Sequence, residues 1–177
     1  LVEEFDCSRT PIRKALIRLE NEDLVERVPK SGTYVTRVSF QDLKELFKTR
    51  KHLLKLVSEL VVKNIEPQEL DMLESLVTKM NEKKDPKELI KLDLEFHRRL
   101  HQATHNRLIE RIMGNIIVKA TQIWLFSIDR KLALQFSEDH SKFVEEVKKE
   151  NLEEARKILL NHAQQTIEYV KQDLADI

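Results

Sequence analysis

Two groups of residues in this sequence could do chemistry. Asp93 and His97 stand four apart, so on a helix they share one face about a turn from each other. His140 and His162 are 22 residues apart, a spacing that an antiparallel helix pair could bring level. One carboxylate and three imidazoles converging inside a helical core would hold a divalent transition metal and leave coordination positions open for water or a ligand. Zinc is the first expectation for this donor set, and nickel, cobalt, iron or manganese would also suit it. By spacing alone the signal is weak, because Asp-x-x-x-His pairs are commonplace.

The second group is the run Ser8-Arg9-Thr10-Pro11-Ile12-Arg13-Lys14-Ala15-Leu16. Ser8 is a candidate N-cap, and Thr10 and Pro11 fall in the first turn, where a missing proline N–H costs little. Ile12, Ala15, Leu16 and Leu19 recur at helical spacing and form an apolar face, while Arg9, Arg13, Lys14 and Arg18 project elsewhere. No acidic residue lies between Asp6 and Glu20. A short helix of this kind suits the DNA major groove. By charge alone, a solvated surface helix explains it equally well.

The flanking residues favour DNA. Leu1 to Phe5 read as the end of a preceding helix with Val2 and Phe5 facing inward, and Asp6-Cys7-Ser8 as a tight turn. Helix, turn, basic helix is the helix-turn-helix order. Two β-rich runs follow, Val25–Val28 and Thr33–Val38, separated by Pro29-Lys30-Ser31-Gly32, which predicts a hairpin wing. Lys30 sits at its tip, and Gly32 would allow close approach to a phosphate backbone. The run from Phe5 to Leu16, with Gly32-Thr33-Tyr34-Val35 downstream, resembles the winged helix of the GntR family of bacterial transcription regulators. The resemblance implies that Ser8 opens the recognition helix, that Arg9, Thr10 and Arg13 contact DNA, and that Gly32 is the wing-tip glycine. Lys14 departs from the acidic residue commoner there and adds positive charge to the DNA-facing surface.

The elements that must position these groups are mostly helices. The chain has 177 residues, 35% of them charged and only 2 glycines, a composition that favours long helices. It starts at Leu1, and an N-terminal part of the winged helix is expected to be missing. Net charge is +0, so nucleic-acid binding must rest on local clustering. One cysteine excludes an internal disulfide and suits a cytoplasmic protein. No apolar run is long enough to span a membrane, and no signal peptide is visible.

Ser39-Phe40-Gln41-Asp42 reads as a capping-box-like start to a long helix reaching about Asn64. Glu66-Pro67 and Asp85-Pro86 open the next two, the latter running to about Thr104. Further helices are expected over about 107–128, 131–149 and 152–175. The predicted architecture is mainly α: a winged helix-turn-helix with a β-hairpin over residues 1–38, then an all-α antiparallel bundle over 39–177.

Asp93-Leu94-Glu95-Phe96-His97, then Asn106, Glu138-Asp139-His140 and Asn161-His162, are similar to the FCD ligand-binding domain of the FadR subfamily of GntR regulators. The resemblance implies that Asp93, His97, His140 and His162 are metal ligands, that the domain senses a small organic acid, and that the protein is a homodimer. One departure stands out: that domain commonly carries glutamate four residues after an arginine on its first long helix, but here Leu54 follows Arg50. Among the other histidines, His101 is expected to be packed or solvent-facing, with a place at the pocket edge the lesser alternative. His105 is expected at the surface, and His52 has no partner motif. Cys7 is expected to be a small buried residue, and Trp124, Ile128 and Phe136 to pack in the core or wall the pocket.

Three function classes remain in view. A metal-dependent hydrolase would use the open coordination positions to activate water, but no metallopeptidase, phosphate-loop or nucleophile-elbow motif accompanies the histidines. A purely structural helical protein would not need a basic helix and wing. The expected function is a regulator that binds double-stranded operator DNA and responds to a small carboxylate effector.

Overall fold

A computed structural model describes residues 1–36, 40–83, 85–127 and 130–175. The elements in chain order are α1 (Arg9–Asn21), β1 (Val25–Val28), β2 (Gly32–Val35), α2 (Phe40–Asn64), α3 (Pro67–Glu82), α4 (Pro86–Gln102), α5 (Arg107–Ser127), α6 (Arg130–Lys148) and α7 (Leu152–Ala175). They fall into two compact units, Leu1–Phe40 and Gln41–Ile177.

In the first unit β1 and β2 pair antiparallel, with Val25 opposite Val35 and Val28 opposite Gly32. The turn between them is closed by Ser31 N–H donating to the Val28 carbonyl (3.1 Å). Pro29 presets its first corner, but Lys30 takes φ +63° at the second, a conformation that favours glycine. Thr36 ties the end of the hairpin to the connection between α1 and β1: its N–H donates to the Leu24 carbonyl (3.1 Å) and its hydroxyl to the Asp23 carbonyl (2.6 Å).

Three sequence expectations need correction in this unit. Ser8 occupies the N-cap with extended backbone, but its side chain makes no capping bond. Pro11 is the third helical residue and has no N–H to offer, which removes one of the two donors such a cap uses. Leu1–Phe5 forms a turn (Phe5 N–H to Leu1 carbonyl, 2.9 Å), and Val2 and Phe5 are 40% and 64% exposed rather than inward-facing. Ala15 is exposed, and α1 has no fully buried residue; Ile12, Leu16 and Leu19 are half-buried.

The second unit is a helical bundle. Its helix ends follow local chemistry. Asp85 Oδ1 accepts from Lys87 N–H (3.0 Å), ahead of Pro86 at the first helical position of α4. Glu69 reaches back to accept from Glu66 N–H (2.9 Å) at the start of α3. Asn106 Oδ1 accepts from the N–H groups of Leu108 and Ile109 (3.1 and 3.2 Å) and starts α5. The expected cap at Ser39 lies outside the described residues. Buried apolar residues recur at helical spacing on α2 (Phe47, Leu54, Val57, Val61) and α3 (Leu73, Leu76, Val77, Met80). With Phe96, Leu100, Met113, Phe143 and Leu159 most of these form one core. α4 packs against α3, α5 and α6, and α6 against α7, so α4 lies inside the bundle and brings its side chains toward several neighbours.

Candidate metal centre

The buried stripe of α4 is Leu89, Ile90, Asp93, Phe96, His97, Leu100 and His101. The i, i+3, i+4 repeat that packs the leucines therefore also carries one carboxylate and two imidazoles into the core. α6 adds His140 and α7 adds His162, both 1% exposed. One donor atom from each of Asp93, His97, His140 and His162 lies within 4.8 Å of all the others. Donors held about 2.1 Å from one ion are at most about 4.2 Å apart, so loading the site requires the widest pair to close by about half an ångström.

The polar inventory of this cluster is incomplete without a further group. His140 Nε2 bonds Asp93 Oδ1 at 2.7 Å, and His97 Nε2 lies 3.8 Å from the same oxygen. Among the described residues, Asp93 Oδ2, both ring nitrogens of His97 and Nε2 of His162 are buried with no hydrogen-bond partner, and His162 Nδ1 has only the 3.4 Å contact with Asp139 Oδ2. Buried polar atoms are ordinarily paired, because an unpaired one loses its hydration for nothing. Such a concentration of unpaired imidazole nitrogens and a carboxylate oxygen fits a divalent transition metal by both donor type and number.

The rings are held by packing. Phe96 stacks on His140 with centroids 4.1 Å apart and planes 9° from parallel. Phe136 meets the His162 ring edge-on at 4.6 Å. Asp139 Oδ2 lies 3.4 Å from His162 Nδ1, behind the cluster, where a carboxylate would favour the tautomer that turns Nε2 inward. Burial lowers the affinity of these imidazoles for protons. His97 is held well below the usual histidine range by desolvation, reinforced by His140 and Arg50. His162 is lowered to about 4 by desolvation, against the pull of Asp139. Both are neutral near pH 7, the form that binds metals.

Two further groups border the cluster. His101, one turn beyond His97 with ring centroids 6.0 Å apart, is 1% exposed, which excludes the solvent-facing role. Its pKa is lowered to about 3 by burial and then by Arg50. Arg50 of α2 is itself 1% exposed, and none of its guanidinium nitrogens donates a hydrogen bond to a described residue. The sequence carried a signal for it: Arg50 continues the stripe of Phe47, Leu54, Val57 and Val61, so an arginine stands in register with a core face. His105 is at the surface, its Nε2 3.0 Å from Glu69, and His52 is exposed. The Trp124 side chain and Ile128 lie outside the described residues.

In the first unit, Arg9, Thr10, Arg13 and Lys14 are exposed on α1, and Lys30 and Gly32 are exposed at the hairpin turn. The basic surface is smaller than the charge pattern suggests. Arg18 pairs with Glu22 (3.1 Å), and Arg27 with Glu20 (3.3 Å). Cys7 is half-buried.

Comparison with known proteins agrees with both units. Residues 45–165 match the FCD domain family, and residues 1–35 the bacterial regulatory proteins of the gntR family. The chain is 29% identical to the HTH-type transcriptional regulator YdhC of Bacillus subtilis, over 99% of this chain and 81% of that protein. It is 27% identical to LutR of the same organism, over 92% and 84% respectively. Among solved structures, Escherichia coli McbR/YncC shares the fold with a TM-score of 0.86 at 23% identity, covering 97% of this chain and 84% of that one. A metal-free FCD domain of TM0439 superposes with a TM-score of 0.68 at 14% identity, over 80% of this chain and all of that one. The two matched families account for the two structural units, and the relatives are transcription regulators by name. The chain belongs to the FCD domain family and carries a gntR-type region at residues 1–35: it is a DNA-binding transcription regulator with a helical FCD domain.

Proposed function

We propose that the bundle of this regulator binds a divalent metal, zinc in the first instance, through Asp93, His97, His140 and His162, and that a small carboxylate effector acts at the loaded site to change operator binding. The observation that carries this reading is the meeting of four buried donors from three helices within 4.8 Å. A bound divalent ion would supply open coordination positions to an anionic oxygen. The chain's own residues hold that position: Phe96 and Phe136 fix the rings of His140 and His162, and the surrounding apolar core keeps bulk water away. Because the donors sit on α4, α6 and α7, an effector that alters their spacing alters helix packing. For that to matter, the effector must bind one of two arrangements better than the other.

The first unit supplies the DNA contacts in this reading. Arg9 and Arg13 reach base edges or phosphates, and Ser8, Thr10, Lys14, Lys30 and Gly32 position the backbone. Two copies related by a twofold axis would read a palindromic operator. Zinc titration by calorimetry tests the metal: one site per chain is expected, lost in His140→Ala. Fluorescence anisotropy with duplexes selected from a random pool tests the rest. Arg13→Ala should weaken the best duplex by about 1–3 kcal/mol if that residue reads a guanine. Operator affinity that ignores every carboxylate tried on the zinc-loaded protein would sink the effector reading.

A further inference from the structure

We propose that Arg50 and His101 form an anion-binding subsite beside the metal-binding donors, His101 lying one helical turn from His97, and that the effector therefore carries two carboxylates, one for the metal and one for this subsite. This rests on the metal-and-carboxylate reading above and narrows its ligand class.

Arg50 offers five N–H donors in a planar fork. It is 1% exposed, and Nε, Nη1 and Nη2 are all unpaired. A buried guanidinium without partners is among the most costly arrangements a core can hold, so its retention calls for a partner that arrives from outside. Its own helix supplies none, because the residue one turn on, Leu54, is apolar and 1% exposed. Asp93 is close enough to favour the charged form of Arg50, yet the two share no hydrogen bond. Asp93 Oδ1 already accepts from His140, and the carboxylate is committed to the metal in the loaded protein. Asp139 stands behind His162 and contacts that ring.

His101 adds a second buried group without a partner, within the electrostatic reach of Arg50. It is 1% exposed, and neither ring nitrogen has a partner. It lies outside the four donors that converge, but its ring centroid is 6.0 Å from that of His97, which belongs to them. The charge of Arg50 contributes to holding His97, His101 and His162 neutral, so the guanidinium shares their part of the core. Arginine's fork matches a carboxylate with two parallel bonds, and a neutral imidazole can donate a third. A monocarboxylate on the metal would leave Arg50 and His101 as they are. A diacid whose carboxylates are separated by about one helical turn would satisfy both ends, and succinate and glutarate are the natural probes.

The experiment uses the whole chain. Zinc binding is measured first by calorimetry, because its absence would fail the metal reading without touching Arg50. Acetate, propionate, succinate and glutarate are then titrated by calorimetry and thermal shift into the zinc-loaded and the chelated protein. At least one diacid is expected to bind the loaded protein about tenfold or more tighter than the monoacids. Arg50→Met should erase that advantage while leaving acetate and zinc affinities within about threefold. His101→Phe keeps a ring in the same space and covers the case in which Arg50→Met does not fold; it should reduce the diacid advantage and spare acetate. Equal affinities for monoacids and diacids in the unaltered chain would overturn the proposal, as would a diacid advantage that survives both substitutions. A complete lack of response to all four acids, loaded or chelated, would overturn it too.

Discussion

Buried neutral imidazoles should make the metal-free bundle acid-labile, and His101 allows the size of the effect to be worked out. Its pKa is lowered to about 3 in the folded chain, by burial and by the neighbouring Arg50, while an unfolded histidine titrates near 6.5. Between those values the unfolded chain binds a proton that the folded chain refuses. Stability contributed by this group is therefore whole above about pH 6.5 and is lost as pH falls toward 3. Going from pH 7.5 to 5.0 covers about 1.5 pH units of that window, which is about 2 kcal/mol from this one side chain. For a chain of this length that corresponds to roughly 4–8 °C in melting temperature. The assay is urea denaturation of chelated protein at both pH values, followed by fluorescence of Trp124, the single tryptophan, which lies in α5 and so reports on the bundle. His101→Phe should lose about 2 kcal/mol less than the unaltered chain over the same interval. The comparison is between slopes, so any packing cost of the phenylalanine cancels. Equal losses in the two proteins would refute the reasoning, because His101 would then titrate alike folded and unfolded.

Three other expectations follow from the geometry. Asp139→Asn removes the carboxylate behind His162 and should weaken zinc binding by about 10–100-fold in calorimetry, with the far-ultraviolet circular dichroism unchanged. Asp85→Ala removes the bond to Lys87 N–H at the start of α4 and should cost about 1 kcal/mol in denaturant unfolding. Lys30→Gly relieves a positive φ in the hairpin turn and should stabilise it by about 1 kcal/mol; if Lys30 contacts phosphate, the salt dependence of operator binding should become shallower by about one unit of slope.

Helix boundaries were legible because their causes are local. Asp85-Pro86 and Glu66-Pro67 mark helix starts through groups two or three residues apart, and the structure starts α4 and α3 at those places. The hairpin was legible for the same reason, through Pro29 and Gly32 between two β-rich runs. Local pattern misled where a partner was needed. Ser8 has the right type and backbone for a cap, but Pro11 withholds a donor. Val2 and Phe5 have an apolar spacing, yet nothing among the described residues of their unit covers them. The four basic side chains of α1 count as four charges along the sequence. In space Glu22 pairs with one of them, Arg18, and Glu20 pairs with Arg27 of β1.

The residues that could hold a metal can be named from the sequence, because side-chain type and the four-residue spacing of Asp93 and His97 suffice for a candidate set. Their convergence belongs to the tertiary structure: His140 and His162 arrive on separate helices, and only packing puts their donors beside α4. The same holds for burial. Helical register marks Arg50 as standing on an apolar face, but nothing local says that the face is closed over it or distinguishes His101 from His105. The fold places Arg50 and His101 in the core, unpaired beside the metal donors, and leaves His105 at the surface against Glu69. Composition and periodicity fix which face of a helix is apolar. What that face meets, and therefore whether a charge on it is neutralised, left unpaired or answered by a ligand, depends on neighbours that are distant in the chain.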